Sequence, residues 1–192
     1  MRADGAREAT GATRRMELPT LRTARTTLRP LGEDDLDELM EIVSTPGVRD
    51  WWGDVSDREK LREDLKCDDE DDSGALTIEI GGAIAGWLGV WEENEPGFRH
   101  GGLDIMLAPP FQGRGIGPEA LRAAVVWLID ERGHHRVTID PAHANGRAIR
   151  AYEAVGFRPV GVMRQYERDP AGDGWRDGLL MDLLAEEFER GD

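Results

Sequence analysis

The feature that most constrains the fold is an apolar strand that leads through a glycine-rich turn into a helix. The strand, Leu103–Leu107, is apolar apart from Asp104, and a proline pair follows it. Three alternate glycines come next: Gly113, Gly115 and Gly117. Glycines let backbone N–H groups approach a ligand closely, and the N-terminus of a helix favours an anion. The segment therefore predicts a cradle for phosphate or diphosphate. It matches neither the Walker loop nor the dinucleotide fingerprint.

The remaining apolar pattern predicts a mixed sheet with several helices. Strands are expected at 26–31, 75–80, 84–91, 102–107, 136–139, 160–167 and 178–184, and helices at 32–44, 56–66, 118–131 and 147–155. Gly81-Gly82 predicts a hairpin, and Ser56 with Glu59 matches a capping box at a helix start. Antiparallel strands first and crossover connections later indicate an α/β or α+β sheet. We expect one domain over residues 19–190 after a flexible tail, residues 1–18.

The charge balance excludes several classes of protein. Lys and Arg number 24 against 39 Asp and Glu, giving a net charge of −15. Such a chain lacks the basic face that nucleic acids and anionic membranes require, and it favours a cationic partner. The acidic runs 33–41 and 63–72 are expected to be mostly solvated surface.

Cysteine and histidine usage indicates neither a disulfide nor a metal site. Cys67 is the single cysteine and lies among carboxylates, so it is not expected to be a nucleophile. His134 and His135 follow a helix end and are expected at the surface, and with His143 they form no metal pattern. We expect no metal. No signal sequence or membrane-spanning segment is evident, which predicts a cytoplasmic protein.

A second segment makes the pattern specific. Residues 145–157 have the form Asn-x-x-Ala-Ile-Arg-x-Tyr-Glu-x-x-Gly-Phe, and residues 112–117 have the form Gln-x-x-Gly-x-Gly after a strand. Together, in this order, they resemble the Gcn5-related N-acetyltransferase (GNAT) family over residues 20–188. The resemblance implies the GNAT fold, a mixed twisted sheet that splays open at its central strand near Asp104, with helices on both faces. It also implies acetyl-CoA in the cleft as cosubstrate.

Within this family the chain resembles the aminoglycoside 6'-N-acetyltransferases. The similar stretches are Trp51–Gly53, Gly102–Leu107 and Thr138–Pro141. The opening stretch 28–35 is shared with the ribosomal-protein N-terminal acetyltransferases and does not separate the two. The resemblance implies transfer of acetyl to a cationic amine, an aminoglycoside, by direct attack without an acyl-enzyme. A peptide N-terminal acetyltransferase and a non-catalytic acyl-CoA-binding protein remain alternatives, as do a monomer and a homodimer.

The resemblance assigns the cofactor-binding residues. The backbone of the glycine turn would hold the pyrophosphate, and the strand before it would pair with the pantetheine arm. The residues concerned are Met106, Leu107, Gln112, Gly113, Arg114, Gly115, Ile116, Gly117 and Asn145. Asn145 is also in position to cap the following helix, and the two roles are compatible.

Two residues are the catalytic candidates. Asp104, the one acid in an apolar strand, either takes the proton from the substrate ammonium or holds that ammonium by charge. Strand alternation alone would also let Asp104 face solvent. Tyr152 is implied as the general acid for the departing CoA thiolate, and the alternative is a ring packed on the sheet.

Further candidates concern the acceptor. Trp51 and Trp52 are expected in a strand-like stretch, one in the core and the other a wall for a sugar ring or a cation. Asp140 follows a strand and either binds a second ammonium or serves a turn before Pro141. Asp173 and Asp177 are further candidates for amine contacts.

Overall fold

One mixed sheet with helices on both faces forms the molecule. The computed structural model describes residues 16–53, 55, 57–65, 72–170, 172 and 174–190. Its elements are β1 (Leu21–Arg22), β2 (Thr27–Pro30), α1 (Leu36–Val43), α2 (Arg49–Trp52), α3 (Arg58–Asp64), β3 (Ser73–Ile80), β4 (Ala83–Glu93), β5 (His100–Leu107), α4 (Ile116–Val126), β6 (Arg136–Ile139), α5 (Gly146–Glu153), β7 (Arg158–Arg168) and β8 (Trp175–Leu184). Among these described residues, no helix has the length and hydropathy that crossing a bilayer requires.

The sheet opens between its two halves. The strand order is β1-β2-β3-β4-β5-β6-β8-β7, antiparallel throughout except for β5 and β6. The parallel pair joins Gly101 to Val137 and Gly102 to Thr138, and the strands diverge after these residues. The predicted splay at the central strand is confirmed, and it leaves the second half of β5 facing a gap.

Side chains of opposite faces build two apolar clusters. On one face, Leu121 of α4 packs in a cluster with Leu88 and Leu103 of the sheet. On the other face, Leu39 of α1 packs in a cluster with Trp87. Both faces are therefore covered by helices, as the resemblance implied.

Two local predictions near the first helices are wrong. Trp51 and Trp52 lie in α2, a single helical turn, and not in a strand-like stretch. They therefore do not face opposite sides of a sheet, and both rings are half-buried. The helix expected from Ser56 begins at Arg58, because the carboxylate of Asp57 accepts the N–H of Lys60 at 2.8 Å and caps it.

The prediction that His134 lies at the surface is wrong, whereas His135 is exposed. Only 1% of His134 is accessible, and its Nε2 lies 2.6 Å from Oε1 of Glu92. Arg132 donates to both oxygens of the same carboxylate at 2.8 and 2.7 Å. Burial alone would raise the pKa of Glu92, but these two partners hold it at about 2. A buried carboxylate thus accounts for the buried imidazole.

Asp35 departs from the expectation that the acidic run 33–41 is solvated. Its carboxylate is buried and accepts two hydrogen bonds from Arg29, both of 2.7 Å. The N–H of Gly32 and the hydroxyl of Thr77 donate to it as well, at 2.8 and 2.7 Å. The Arg-Pro-Leu-x-x-x-Asp pattern of the opening stretch is therefore a structural brace between β2, β3 and the start of α1.

Some predictions fall on residues that the structure does not describe. Residues 1–15 of the expected tail, Ser56, Cys67 and Asp173 all lie outside the described residues. At the end of the expected tail, Met16 is 6% exposed and belongs to the first apolar cluster, and Leu18 packs against it.

Candidate functional site

A cavity of about 310 Å³ lies where β5 and β6 diverge. The second half of β5 forms one side and α5 the other, with the glycine turn and α2 completing the wall. The predicted site residues that line it are Trp51, Trp52, Met106, Leu107, Gln112, Gly113, Gly115, Gly117, Asn145 and Tyr152. Segments far apart in the chain are thus brought together around one space.

The glycine turn has the geometry of an anion cradle. Gly113 and Gly115 have φ values of +71° and +77°, and α4 begins directly after them at Ile116. Alternating backbone conformations of this kind turn successive N–H groups toward one point, and the first N–H groups of a helix have no intrahelical acceptor. Ile116 is buried and is not among the residues that line the described cavity, so the glycines Gly113, Gly115 and Gly117 form this part of its wall. The arrangement fits a diphosphate.

Gln112 and Arg147 connect the cradle to α5. The Nε2 of Gln112 donates to the carbonyl of Leu107 at 2.6 Å, and its Oε1 accepts from Arg147 at 2.6 Å. This bridge holds an exposed guanidinium at the rim of the cavity, where it can neutralise a phosphate. Arg147 was not among the predicted binding residues. An arginine on a helix that follows a phosphate cradle is, however, a sequence pattern that can indicate a phosphate ligand.

Arg114 lies on the outer side of the turn. Its side chain is exposed and donates to the carbonyl of Pro110 at 3.3 Å, and it is not among the residues that line the described cavity. A second guanidinium, that of Arg25, donates to the carbonyl of Arg114 at 2.9 Å. The cation in contact with the turn backbone is therefore Arg25, which the sequence analysis did not single out.

Glu119 of α4 fixes Arg25 against the turn. Its carboxylate accepts from the hydroxyl of Thr23 at 2.5 Å and from the N–H and Nε of Arg25 at 2.9 and 2.6 Å. Burial alone would raise the pKa of Glu119, but these hydrogen bonds outweigh it and lower the pKa. The turn between β1 and β2 is thereby tied to the helix that carries the cradle.

Replacing Glu119 by glutamine should loosen the cradle. With the ion pair to Arg25 lost, we expect the KM for acetyl-CoA, the cosubstrate that the resemblance implies, to rise by roughly three- to tenfold with kcat nearly unchanged. Steady-state kinetics with varied acetyl-CoA measures this. Glu187→Gln, which removes the same charge from an ion pair with Arg158, is the control. Equal acetyl-CoA KM values in Glu119→Gln and wild type would show that the ion pair between Glu119 and Arg25 does not support the cradle.

Asn145 and Tyr152 lie on α5, across the gap from β5. The Oδ1 of Asn145 accepts the N–H of Ala148 at 3.1 Å, so the predicted helix cap is confirmed. Tyr152 is 6% exposed, lines the cavity, and packs edge-on against Phe157 at 6.4 Å between ring centroids. Burial, followed by the charges of Asp104 and Asp140, raises the pKa of Tyr152 above its ordinary value of 10.0. Tyr152 is therefore a neutral hydroxyl at physiological pH.

The structure places Asp104 and Asp140 near each other at the diverging strands. Asp104 is exposed on β5, and its charge acts on both Tyr152 and Tyr166. Asp140 follows β6, and the hydroxyl of Tyr166 acts on its carboxylate. Burial raises the pKa of Asp140, Tyr166 opposes this shift, and the charge of Glu167 adds to it. The result is a region of negative potential beside the cavity.

Asp177 stabilises the β7–β8 hairpin. Its carboxylate accepts the N–H of Gln165 at 2.8 Å, and its carbonyl accepts the N–H of His143 at 2.8 Å. Gln165 has a φ of +51° within an irregular part of the β7–β8 pairing. Asp177 is not among the residues that line the described cavity, and it stabilises this bend of the hairpin. Tyr166 and Glu167 were missed, because nothing local in the sequence directs them toward Asp140.

The two tryptophans of α2 stand on the other side of the cavity. Trp52 packs edge-on against Trp87, with ring centroids 5.2 Å apart and an interplanar angle of 88°. The guanidinium of Arg176 lies 5.8 Å from the ring centroid of Trp51. Trp52 is thus anchored to the core, and Trp51 lies between the cavity and β8.

Comparison with known proteins agrees with this architecture. The family model described as an acetyltransferase (GNAT) domain matches residues 25–158, and the chain belongs to this family of acetyltransferases. Aminoglycoside N(6')-acetyltransferase type 1 of Klebsiella pneumoniae is 31% identical over 157 residues, which cover 71% of this chain and 76% of the relative.

Two further relatives mark the range of similarity. The N-alpha-acetyltransferase RimI of Mycobacterium tuberculosis is 32% identical over 96 residues, 50% of this chain and 58% of that protein. The solved structure of AAC(6')-Ib in complex with paromomycin and acetyl-CoA superposes with a TM-score of 0.71 at 25% identity, covering 86% of this chain and 97% of the other. The relatives of this chain thus include both an aminoglycoside acetyltransferase and an N-alpha-acetyltransferase.

Proposed function

We propose that this acetyltransferase transfers acetyl from acetyl-CoA to an amino group of a cationic small molecule, the 6'-amine of aminoglycosides. The observation that carries the proposal is the position of Asp104 and Asp140, each two residues beyond the last β5–β6 pair, Gly102–Thr138, where the strands part beside the cavity that Tyr152 lines. Carboxylates at this place attract a polycationic amine to the inner end of an acetyl-CoA cleft. Similarity to the Klebsiella pneumoniae enzyme over 71% of the chain supports the same acceptor class.

The cavity walls divide the work of binding. The amides of residues 113–117 and the guanidinium of Arg147 would hold the pyrophosphate, and the backbone of Met106 and Leu107 would meet the pantetheine arm. Asn145 would add a hydrogen bond from its amide nitrogen, since its Oδ1 already caps α5. Bound in this way, acetyl-CoA supplies an activated thioester carbonyl in the gap between β5 and β6.

Asp104 and Tyr152 serve the two ends of the transfer. The acceptor ammonium loses a proton to Asp104, and the free amine then attacks the thioester carbonyl. As the C–N bond forms and the C–S bond breaks, the nitrogen gives up its second proton to the departing thiolate, which leaves as the CoA thiol. Tyr152 donates a hydrogen bond to the departing thiolate. The pKa of a thiol is about 8.5, and the pKa of Tyr152 lies above 10. The Tyr152 hydroxyl therefore stabilises the thiolate by a hydrogen bond and keeps its own proton. No acyl-enzyme is required.

Asp140 and Trp51 would orient the acceptor. The charges of Asp104 and Asp140 both act on Tyr152, which suits a molecule with more than one ammonium group. The indole of Trp51 offers a flat wall for a sugar ring or a cation. A monoamine would lose the second charge contact and bind less tightly.

Release of free CoA with a panel of amines tests the proposal. Neomycin and paromomycin form a matched pair, because they differ in carrying an amine or a hydroxyl at the 6' position. We expect turnover with neomycin and kanamycin and none with paromomycin. Turnover of paromomycin at the same rate would contradict the 6' assignment. Inactivity on every aminoglycoside, together with activity on peptide amines, would contradict the acceptor class.

The alternative acceptor is the amino terminus of a ribosomal protein or another peptide. The similarity to RimI over half of the chain favours it. The stretch 28–35, which the chain shares with the ribosomal-protein N-terminal acetyltransferases, does not favour this acceptor, because Arg29 and Asp35 form a structural ion pair there. Peptides with free α-amines therefore belong in the same panel as a separate arm.

Removing the hydroxyl of Tyr152 should slow the chemical step. We expect Tyr152→Phe to lower kcat by about 10- to 100-fold while both KM values stay near those of wild type. Steady-state kinetics measures the three constants. Tyr166→Phe removes the only other tyrosine hydroxyl of the sequence, and it should raise the KM for the acceptor instead. An unchanged kcat in Tyr152→Phe would exclude the proposed contact with the thiolate.

A further inference from the structure

The β7–β8 hairpin is attached to the tryptophan wall by Arg176. Its Nη2 donates to the carbonyl of Trp51 at 2.6 Å, and its Nη1 to the carbonyl of Asp50 at 3.4 Å. The side chain is 17% exposed, so these contacts are largely shielded from water. A residue of β8 thus binds the end of a helix that lies about 125 positions earlier in the chain.

The end of α2 needs such a partner. The helix is one turn long and stops at Gly53, whose N–H bonds to the carbonyl of Arg49 at 2.8 Å. The carbonyls of Asp50 and Trp51 lie in that single turn, and terminal carbonyls have no intrahelical donor. A planar guanidinium offers two parallel donors and matches a pair of adjacent carbonyls better than an ammonium does.

Glu167 and the indole of Trp51 fix the guanidinium in place. The Nε of Arg176 lies 2.9 Å from Oε1 of Glu167, which is close enough for an ion pair. The N–H is not aligned with that oxygen, so the contact is not a hydrogen bond. The guanidinium lies 5.8 Å from the ring centroid of Trp51, within the range of a cation–π contact. Three kinds of contact therefore converge on one side chain.

The same two segments also lie close together at Pro170. A Cβ built on Gly53 would lie 3.6 Å from the Cβ of Pro170, so the hairpin passes beside the residue that follows α2. The hairpin also carries Tyr166, whose hydroxyl acts on Asp140. One hairpin therefore lies near both the acidic group and the aromatic wall of the proposed acceptor space.

We propose that Arg176 is a positioning residue that sets acceptor affinity by holding Trp51 against the cavity. It acts through α2 and has no role in the transfer of acetyl itself. The inference rests on the proposed function for the identity of the acceptor. The mechanical part, that Arg176 holds α2, does not depend on any acceptor. Variation in this hairpin would then change which amines the enzyme accepts.

Arg176→Gln tests both parts. Hydrogen exchange of peptides spanning residues 45–53, followed by mass spectrometry, should become at least about tenfold faster, while peptides of α4 keep their rates. In kinetics with an amine that wild type acetylates, the acceptor KM should rise by roughly tenfold. The acetyl-CoA KM and kcat should change by less than about twofold. Arg176→Lys, which keeps the charge but not the planar fork, should give intermediate values in both measurements.

Arg158→Gln is the matched control, because it removes the same charge from the opposite end of the hairpin, where Arg158 pairs with Glu187. Unchanged exchange at residues 45–53 in Arg176→Gln would overturn the proposal. Faster exchange with an unchanged acceptor KM would overturn the inference that Arg176 sets the affinity for the acceptor. If wild type acetylates no aminoglycoside, the proposed function fails, and the exchange result together with any other accepted amine still decides the role of Arg176.

Discussion

Replacing Asp104 by asparagine is expected to lower kcat for the aminoglycoside acceptor by about 100- to 1000-fold at pH 7. The amide has nearly the same shape but cannot take the proton of an ammonium. The acetyl-CoA KM should stay unchanged, because the cradle at residues 113–117 is not altered. Initial rates of CoA release at saturating acetyl-CoA measure the effect.

The pH profile of Asp104→Asn separates its two possible roles. Without a base, only the free-amine fraction of the acceptor reacts, so the rate should rise about tenfold per pH unit below the amine's own pKa. If Asp104 only holds the ammonium, the acceptor KM rises and kcat stays as in wild type. Asp37→Asn is the control variant. It removes the same charge from α1, where Asp37 is 80% exposed and lies 3.3 Å from Arg58. Full activity of Asp104→Asn at pH 7 would contradict both roles.

Replacing Asp35 by asparagine is expected to lower the free energy of unfolding by about 3 kcal/mol at neutral pH. The carboxylate accepts two hydrogen bonds from Arg29 and one each from Gly32 and Thr77, and an amide cannot replace all of them. Urea unfolding monitored by tryptophan fluorescence measures the loss. Asp37→Asn, two residues further along and exposed, should change stability by less than about 0.5 kcal/mol.

The stabilisation by Asp35 should disappear in acid. Burial by itself would raise its pKa, but the hydrogen bonds from Arg29, Gly32 and Thr77 hold it at about 2, below the ordinary value of 3.8. A lowered pKa means that the contribution is fully present above about pH 4 and is lost as the pH falls through 2. About 2 kcal/mol of the difference between wild type and Asp35→Asn should vanish over this interval. A constant difference from pH 7 to pH 2 would show that folding does not lower the pKa of Asp35.

Much of the architecture follows from local patterns in the sequence. Gly81-Gly82 specified the hairpin between β3 and β4, and the glycine turn specified the start of α4 to within two residues. Asn145 caps α5 as its position predicted. These signals are short in range, because a turn or a cap depends on residues only a few positions apart. Strand and helix order could therefore be read directly from the chain.

Local patterns failed where a distant partner changes the surroundings of a residue. Trp51 and Trp52 were expected in a strand-like stretch, yet they form a helical turn whose end is bound by Arg176. His134 was expected at the surface, yet the carboxylate of Glu92, 42 residues away, stabilises it in the interior. Neither partner is visible from the neighbouring sequence, because pairing of distant residues follows from the packing of the sheet.

The sequence by itself determined the family and the glycine turn at the start of α4, and it predicted catalytic roles for Asp104 and Tyr152. Only the tertiary structure joined Asp140, Tyr166 and Glu167 beside Asp104, and only it attached the β7–β8 hairpin to α2 through Arg176. The physical reason is the range of the interactions. A phosphate cradle is built from consecutive backbone groups, whereas the proposed acceptor site is built from side chains of β5, β7, α2 and the residue after β6, whose spacing is set by the splay of the sheet.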